Sequence, residues 1–282
     1  MIYVAILAFS DVHIGDSKSN VDAFAAFLKE VTDRPDVDTV VALGDCFDMW
    51  VRDVSGLFLE NHKIAQLLLT LKHGKNFHYV VGNHDYHLLC LKGHNYPITF
   101  EKDLTIQGKG VTYVFKHGWE FDDEQSVPVI EALCYNMSDT SGQIRSDVWN
   151  LVNESNQKKI QDADAVEEVI KRNSGTLGKL EFVFEVLRDA YLQRLMAPAS
   201  VRVSEAFNKV EEKAVESVKE RELLIFGHTH RPFVSPTQSL VNTGSWVSDA
   251  KTSNTWIEIE EKEVRLMQYG VGDITQAFIK KI

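Results

Sequence analysis

Short apolar runs, each closed by polar punctuation, recur along the chain. Tyr3 to Phe9 runs into "SDVH", Thr39 to Leu43 into "GDCFD" and Phe77 to Val81 into "GNHD". Val111 to Phe115 runs into "KHG", and Leu223 to Phe226 into "GHTH". Runs of this length, rich in Val, Ile and Phe and bounded by glycine, predict buried strands. After Asn20, the residues Val21, Phe24, Phe27, Leu28 and Val31 recur at helical spacing until Pro35 stops the pattern. Ile64 to Leu71 predicts a further helix. Strand and helix in alternation predict βαβ units and a largely parallel sheet. Near the end, Ser239 to Asn242, Thr255 to Ile259 and Val264 to Gln268 predict strands, the last two joined by a polar turn at Glu261 and Lys262. A second, more antiparallel sheet is expected there.

Residues 122–222 break the alternation. They are rich in Glu, Lys, Gln and Ala, with almost no strand signal. Leu177, Leu180, Phe184, Leu187, Tyr191 and Leu195 fall on one helical stripe, and Val203, Phe207, Val210, Ala214 and Val218 on another. Apolar stripes usually face a core, which predicts a helical, cap-like insertion packed on an α/β domain made of residues 1–121 and 223–282. The alternative is that one stripe lines a groove for an apolar substrate. The chain shows no internal repeat and no low-complexity tract.

A length of 282 residues allows one large α/β domain or two small ones, and 44% hydrophobic with 25% charged residues is ordinary for a soluble globular chain. A net charge of -11 argues against a nonspecific nucleic-acid binder. It does not exclude a phosphorylated substrate, because bound cations invert the local field. The three cysteines, Cys46, Cys90 and Cys134, are far apart and form no C-x-x-C pair. A reducing compartment, the cytoplasm, is therefore expected. The opening apolar run lacks a basic flank and leads straight into "DVH", so it is expected to be the first strand and not a signal peptide. No run approaches membrane-spanning length, which leaves only peripheral membrane contact open.

The chemistry follows the strands. Asp11 and His13 come after the first, Asp45 and Asp48 after the second, and Asn83, His84 and Asp85 after the third. His117 follows the fourth, and His228 and His230 the fifth. Ligands in open α/β sheets bind beyond the carboxyl ends of the strands, so parallel strands would bring these groups to one place. Each group alone has a bland reading as a turn or an exposed polar residue. Five strand ends that all carry oxygen and nitrogen donors do not. His62, His73, His78, His87 and His94 lack the pattern and are expected at the surface or in the core. Three Asp or Asn oxygens with four imidazoles suit two divalent ions of the Mn, Fe, Co, Ni or Zn kind, Mn first among them. Asp48 and Trp50 are expected to shape the loop, and Cys46 to pack inward.

"DVH", "GDCFD", "GNHD", "HG" and "GHTH" resemble, in order, the motifs of the calcineurin-like metallophosphoesterases. The resemblance implies an α/β fold, a four-layer α/β/β/α sandwich of two mixed sheets with a helical insertion. It implies one metal position held by Asp11, His13, Asp45 and His230, and a second held by Asp45, Asn83, His117 and His228. Asp45 would bridge the two. His84 would be the catalytic imidazole, with Asp85 orienting it. The expected activity is hydrolysis of a phosphodiester, phosphomonoester or pyrophosphate by in-line attack of water activated between the two cations. "GDCFDMW", "GHTHRP" and "NTGSW" further resemble the UDP-2,3-diacylglucosamine pyrophosphohydrolase branch, which usually carries Arg where this chain has His84. The substrate would then be a phosphorylated small molecule or a lipid-nucleotide, with Arg52, Arg231 and residues 122–222 as candidate walls. The other classes are a nuclease, disfavoured by the acidic charge, and a non-catalytic scaffold, disfavoured because every ligand position is kept.

Overall fold

The computed structural model describes residues 5–122, 199–248, 250–260 and 263–280, with side chains in the fourth helix from residue 205 onward. The stripe from Leu177 to Leu195, most of the expected insertion and Cys134 lie outside the described residues.

The chain begins with β1 (Ala5–Phe9), α1 (Val21–Asp33), β2 (Val37–Leu43), α2 (Val54–Glu60), α3 (His62–Gly74), β3 (Asn76–Val80) and β4 (Phe100–Glu101). The four strands are mutually parallel in the order β1-β2-β3-β4. Helix α1 ends at Arg34, which adopts extended backbone (ψ 109) because the following Pro35 disfavours a helical residue before it. Helix α2 is short and has no long apolar stripe; Asp53 caps it by accepting from Gly56 N at 2.7 Å.

Next come β5 (Asp103–Gln107), β6 (Thr112–Lys116), α4 (Ala199–Ser217), β7 (Glu222–Phe226), β8 (Phe233–Val234) and β9 (Leu240–Asn242). They form a second sheet in the order β5-β6-β7-β9-β8, in which β6, β7 and β9 are parallel. The chain finishes with β10 (Thr255–Glu260), β11 (Glu263–Gln268) and β12 (Gly272–Asp273).

The closing strands depart from the expectation of a separate antiparallel sheet. β10 pairs antiparallel with the free edge of β1, and β11 and β12 follow it, extending the first sheet to seven strands. β9 instead lies parallel to β7 in the second sheet. The reason is burial: β10 is apolar or buried on both faces from Thr255 to Ile259 and needs cover on both sides, which the rim of a separate hairpin would not give.

Strand alternation then builds the layers. In the first sheet, Leu7, Phe9, Val40, Ala42 and Phe77 face a slab filled by Phe24, Phe27 and Leu28 of α1 and Leu68 and Leu71 of α3. Their neighbours Ala8, Val41 and Leu43 face the other way, against Phe115, Ile225 and Val241 of the second sheet. Leu224 and Phe226 point to the outer face of that sheet, where Val210 and Ala214 of α4 cover them. The result is helices, sheet, sheet, helix. Val210 and Ala214 of the expected stripe therefore face a core, with Val218 packed against it. Each fully buried Leu, Phe or Val contributes roughly 1.5–3 kcal/mol of transfer energy, so the three slabs hold the strand ends rigidly. Among the described residues, no helix is long and apolar enough to cross a membrane.

Candidate metal centre

The carboxyl ends of β1, β2 and β3 in one sheet and of β6 and β7 in the other open on the same rim. A hydrogen bond across the rim joins them, with His117 Nδ1 bonded to Leu43 O at 2.7 Å. A carbonyl can only accept, so Nδ1 carries a proton and Nε2 is the ring nitrogen turned to the interior. That Nε2 lies 3.2 Å from Asp45 Oδ2 and 3.8 Å from Asp11 Oδ1.

Three donor clusters result among the described residues: one is His13, Asp48 and His84, and the other two hold expected ligands only. Asp11, His13 and His230 offer atoms within 4.8 Å of one another, and so do Asp45, His117 and His228. His230 Nε2 is 3.2 Å from Asp11 Oδ1 and 3.2 Å from His13 Nε2. Two imidazole nitrogens aimed at each other across that gap need a proton or a cation between them. Asp11 Oδ1, Asn83 Oδ1 and His117 Nε2 are buried and have no hydrogen-bond partner. Buried polar atoms are normally satisfied, and orphans on Asp11 and His117 only 3.8 Å apart mark a place for a positive ion. The donor set of carboxylate, amide oxygen and imidazole, without thiolate, suits a divalent cation of intermediate softness. Cys46 is buried, its thiol is pushed well up, first by burial and then by the Asp85 carboxylate, and it belongs to none of the clusters.

The electrostatics are those of a cation site filled by protons. Burial opposes charge on every member. The imidazoles of His230 and His117 nevertheless hold the Asp11 carboxyl well below the usual range. His117 and His84 do the same for Asp45. In return His117, against its burial, is pushed up to about 10 by Asp45 and Asp11. His13 is likewise raised, against its burial, by its contacts with Asp11 and Asp48.

The backbone is strained where the donors attach. Asp11, His13, Asp45, His228 and His230 have φ of 53, 52, 52, 64 and 56°, in the left-handed region. Each costs of order 1–3 kcal/mol and persists only where the surroundings over-determine it. Gly44, at φ 81°, lets β2 turn beside the centre; a Cβ there would stand 2.5 Å from Gly82 N and 2.6 Å from His117 Nδ1.

Two of the clusters hold six of the expected ligands, while Asn83 is nearly buried with its Oδ1 free to accept. His84 lies beside them, and its N–H donates to Asp45 Oδ1 at 2.8 Å. Asp85 departs from its expected role. Its carboxylate accepts from Gly82 N at 2.7 Å, Cys46 N at 2.9 Å and the Tyr79 hydroxyl at 2.5 Å. It ties the loops after β2 and β3 together and does not orient His84. Asp48 does that work: Oδ1 meets His84 Nδ1 at 2.9 Å while Oδ2 meets His13 Nδ1 at 3.0 Å. Trp50 also does more than shape the loop, stacking on the His84 ring at 4.2 Å and 22°. The signal for Asp48 is present in the chain, a second carboxylate three residues beyond Asp45 in a buried loop, but spacing does not reveal which histidines it faces.

At the margin, His228 Nε2 stands 3.3 Å from Asp122 Oδ2. Arg231 lies over the Phe207 ring at 5.1 Å and donates to Asn208 at 3.0 Å, whereas Arg52 is paired with Glu60 at the surface.

Among solved structures, the chain is similar to Yfce, a phosphoesterase from E. coli, at 12% identity and a TM-score of 0.46 over 96% of this chain and 97% of that one. It is also similar to a dimetal phosphatase from Danio rerio, at 14% identity and a TM-score of 0.41 over 95% and 99%. No curated protein matches it by sequence. The model of the calcineurin-like phosphoesterase family matches residues 4–232, a span that runs from β1 through all three donor clusters. By that match the chain belongs to the calcineurin-like phosphoesterase family.

Proposed function

We propose that the chain is a hydrolase of phosphoric esters or anhydrides that works with two divalent cations. Asp11, His13, Asp45 and His230 hold one, and Asp45, Asn83, His117 and His228 the other. The observation that carries this reading is the trio of orphaned buried atoms, Asp11 Oδ1, Asn83 Oδ1 and His117 Nε2, set among clustered donors. When bound, the cations supply Lewis acidity toward phosphoryl oxygens and an activated water.

The chain's own residues do the rest. Asp48 engages His84 Nδ1 and so sets the direction of the ring toward a substrate oxygen. Trp50 covers one face of the ring and fixes its plane. His84 is the general acid, giving its Nε2 proton to the leaving oxygen, a role typically worth about 10²–10⁴-fold in rate. The Asp45 carboxylate is divided in use: Oδ1 is held by the His84 N–H, while Oδ2 is turned toward His117.

The substrate is proposed as a phosphorylated small molecule. The "GDCFDMW", "GHTHRP" and "NTGSW" segments support a UDP-linked lipid pyrophosphate as one member of the panel that tests the reading. That panel crosses Mn, Co, Ni, Zn and Fe with aryl phosphomonoesters, aryl phosphodiesters, nucleoside diphosphates and UDP-linked lipids. Metal-dependent turnover of at least one class is expected. Bound metal without turnover of any would indicate a non-catalytic scaffold instead. His84→Ala should keep its metal and lose most turnover; unchanged turnover would remove His84 from the reaction.

A further inference from the structure

β7 ends at Phe226, and the next residues, Gly227 to His230, carry two candidate ligands. Both His228 and His230 sit in left-handed backbone. A turn of this kind relaxes unless something holds it, and the carbonyls it leaves free need donors. The support comes from β9. Asn242, its last residue, is fully buried. Its Nδ2 donates to Gly227 O at 2.7 Å and to Thr229 Oγ1 at 3.1 Å, and its Oδ1 accepts from Gly244 N at 2.8 Å. Thr229, between the two histidines, is itself buried. Thr243 extends the support, donating its N–H to Phe226 O at 2.9 Å and lying 2.6 Å from Ser10 Oγ. On the opposite side, His228 N donates to Asp11 Oδ2 at 2.9 Å.

We propose that Asn242 is a positioning residue of the metal centre: its side-chain amide grips the Gly227–His230 turn in the conformation that aims His228 at one cation and His230 at the other. The inference rests on the two-metal reading above. Asn242 touches neither metal nor substrate. A carboxamide of this length supplies donors to Gly227 O and Thr229 together with an acceptor for Gly244 N. A carboxylate would set oxygen against the Gly227 carbonyl. Because one imidazole serves each cation, loosening the turn weakens both positions and not one.

The test titrates MnCl₂ into metal-free protein by calorimetry. Wild type, Asn242→Asp, Asn242→Ala and the near-isosteric Thr229→Val are compared, with Leu71→Ala in the slab between α3 and the first sheet as a control. Folding is checked by circular dichroism and the thermal transition without metal. Mn affinity should fall about 10–100-fold at both positions in the Asn242 variants, and less in Thr229→Val. Leu71→Ala should lower the transition temperature and leave Mn affinity at the wild-type value. Visible absorption of the Co²⁺ form should change only in the turn variants. A folded Asn242→Ala that binds Mn within twofold of wild type overturns the proposal. If Asn242→Ala does not fold, wild-type affinity in Thr229→Val overturns it. Wild-type protein that binds no Mn sinks the two-metal reading and this inference with it; tight wild-type binding with undiminished binding in the variants sinks this inference alone.

Discussion

Replacing Asp48 by Asn keeps the shape of the side chain and removes one acceptor, which makes its outcome predictable in detail. The Asp48 carboxylate is 2% exposed and receives four donors. Burial opposes its charge, yet the imidazoles of His84 and His13 hold the carboxyl far below the usual carboxylate range. Three of the donors share Oδ1: His84 Nδ1 at 2.9 Å, Trp50 N at 3.0 Å and Val51 N at 3.2 Å. Only His13 Nδ1, at 3.0 Å, uses Oδ2. An Asn side chain will keep its oxygen where three donors converge and turn its NH₂ toward His13. His13 must then give up its Nδ1 proton or break the contact. With the proton moved to Nε2, it no longer offers a lone pair to the centre. A lost hydrogen bond to a charged group is worth about 1.5–3 kcal/mol, or roughly 10- to 150-fold in affinity. Asp48→Asn should therefore weaken Mn binding by that factor. At saturating Mn, turnover of an aryl phosphodiester should fall less than about tenfold, because His84 keeps its partner. The assay is Mn calorimetry beside steady-state rates at rising Mn. Wild-type Mn affinity with collapsed turnover would show that Asp48 serves His84 alone and would refute the reasoning.

Further outcomes follow from the same geometry. Gly82→Ala would put a Cβ 2.1 Å from Asp45 Oδ1 and 2.6 Å from Asp45 N. It should cost about 1–3 kcal/mol of stability and lower metal content; a wild-type melt and full metal loading would contradict this. Mn affinity should climb with pH toward about 10, because His117, raised by Asp45 and Asp11 against its burial, must lose a proton to present Nε2 to a cation. Calorimetry in buffers of different ionisation heat should show proton release, and a flat or falling affinity from about pH 6 to 8 would count against it. For the metal-free protein the sign reverses. A raised imidazole stabilises fully below its ordinary range, and the contribution is lost as pH rises through about 10, so thermal melts without metal should soften on the alkaline side.

Much of the site is legible along the chain, and the reason is physical. Most donors follow a strand buried on both faces, such as Val40 to Leu43 or Leu223 to Phe226, and such runs announce themselves by length and composition. The two-residue strands Phe100–Glu101, Phe233–Val234 and Gly272–Asp273 carry no periodicity to read. The join of β10 to β1 is equally silent, since Ile6 and Ile259 are partners only through the tertiary fold. The contacts of Asp48 and Asp85 are hidden for the same kind of reason. Asp85 is the nearer carboxylate to His84 in sequence, but the chain turns it down onto Gly82 N and Cys46 N. Asn242 is hidden in a different way: a buried amide at a strand end looks like any polar stop until the turn above it is seen.

Among the described residues, the rim is assembled from two sheets with no strand of one paired to a strand of the other. Asp11, His13, Asp45 and Asn83 ride on one, and His117, His228 and His230 on the other. What sets the distance between them is the thickness of the aliphatic filling, Ala8, Val41 and Leu43 against Phe115, Ile225 and Val241. Interiors packed to crystal density transmit a change of one methylene as a shift of their walls. Leu43, Val41 and Ile225 thus act as spacers for chemistry in which they take no part. Changes in metal preference need not begin at any ligand; they can begin at a hydrocarbon side chain two layers down.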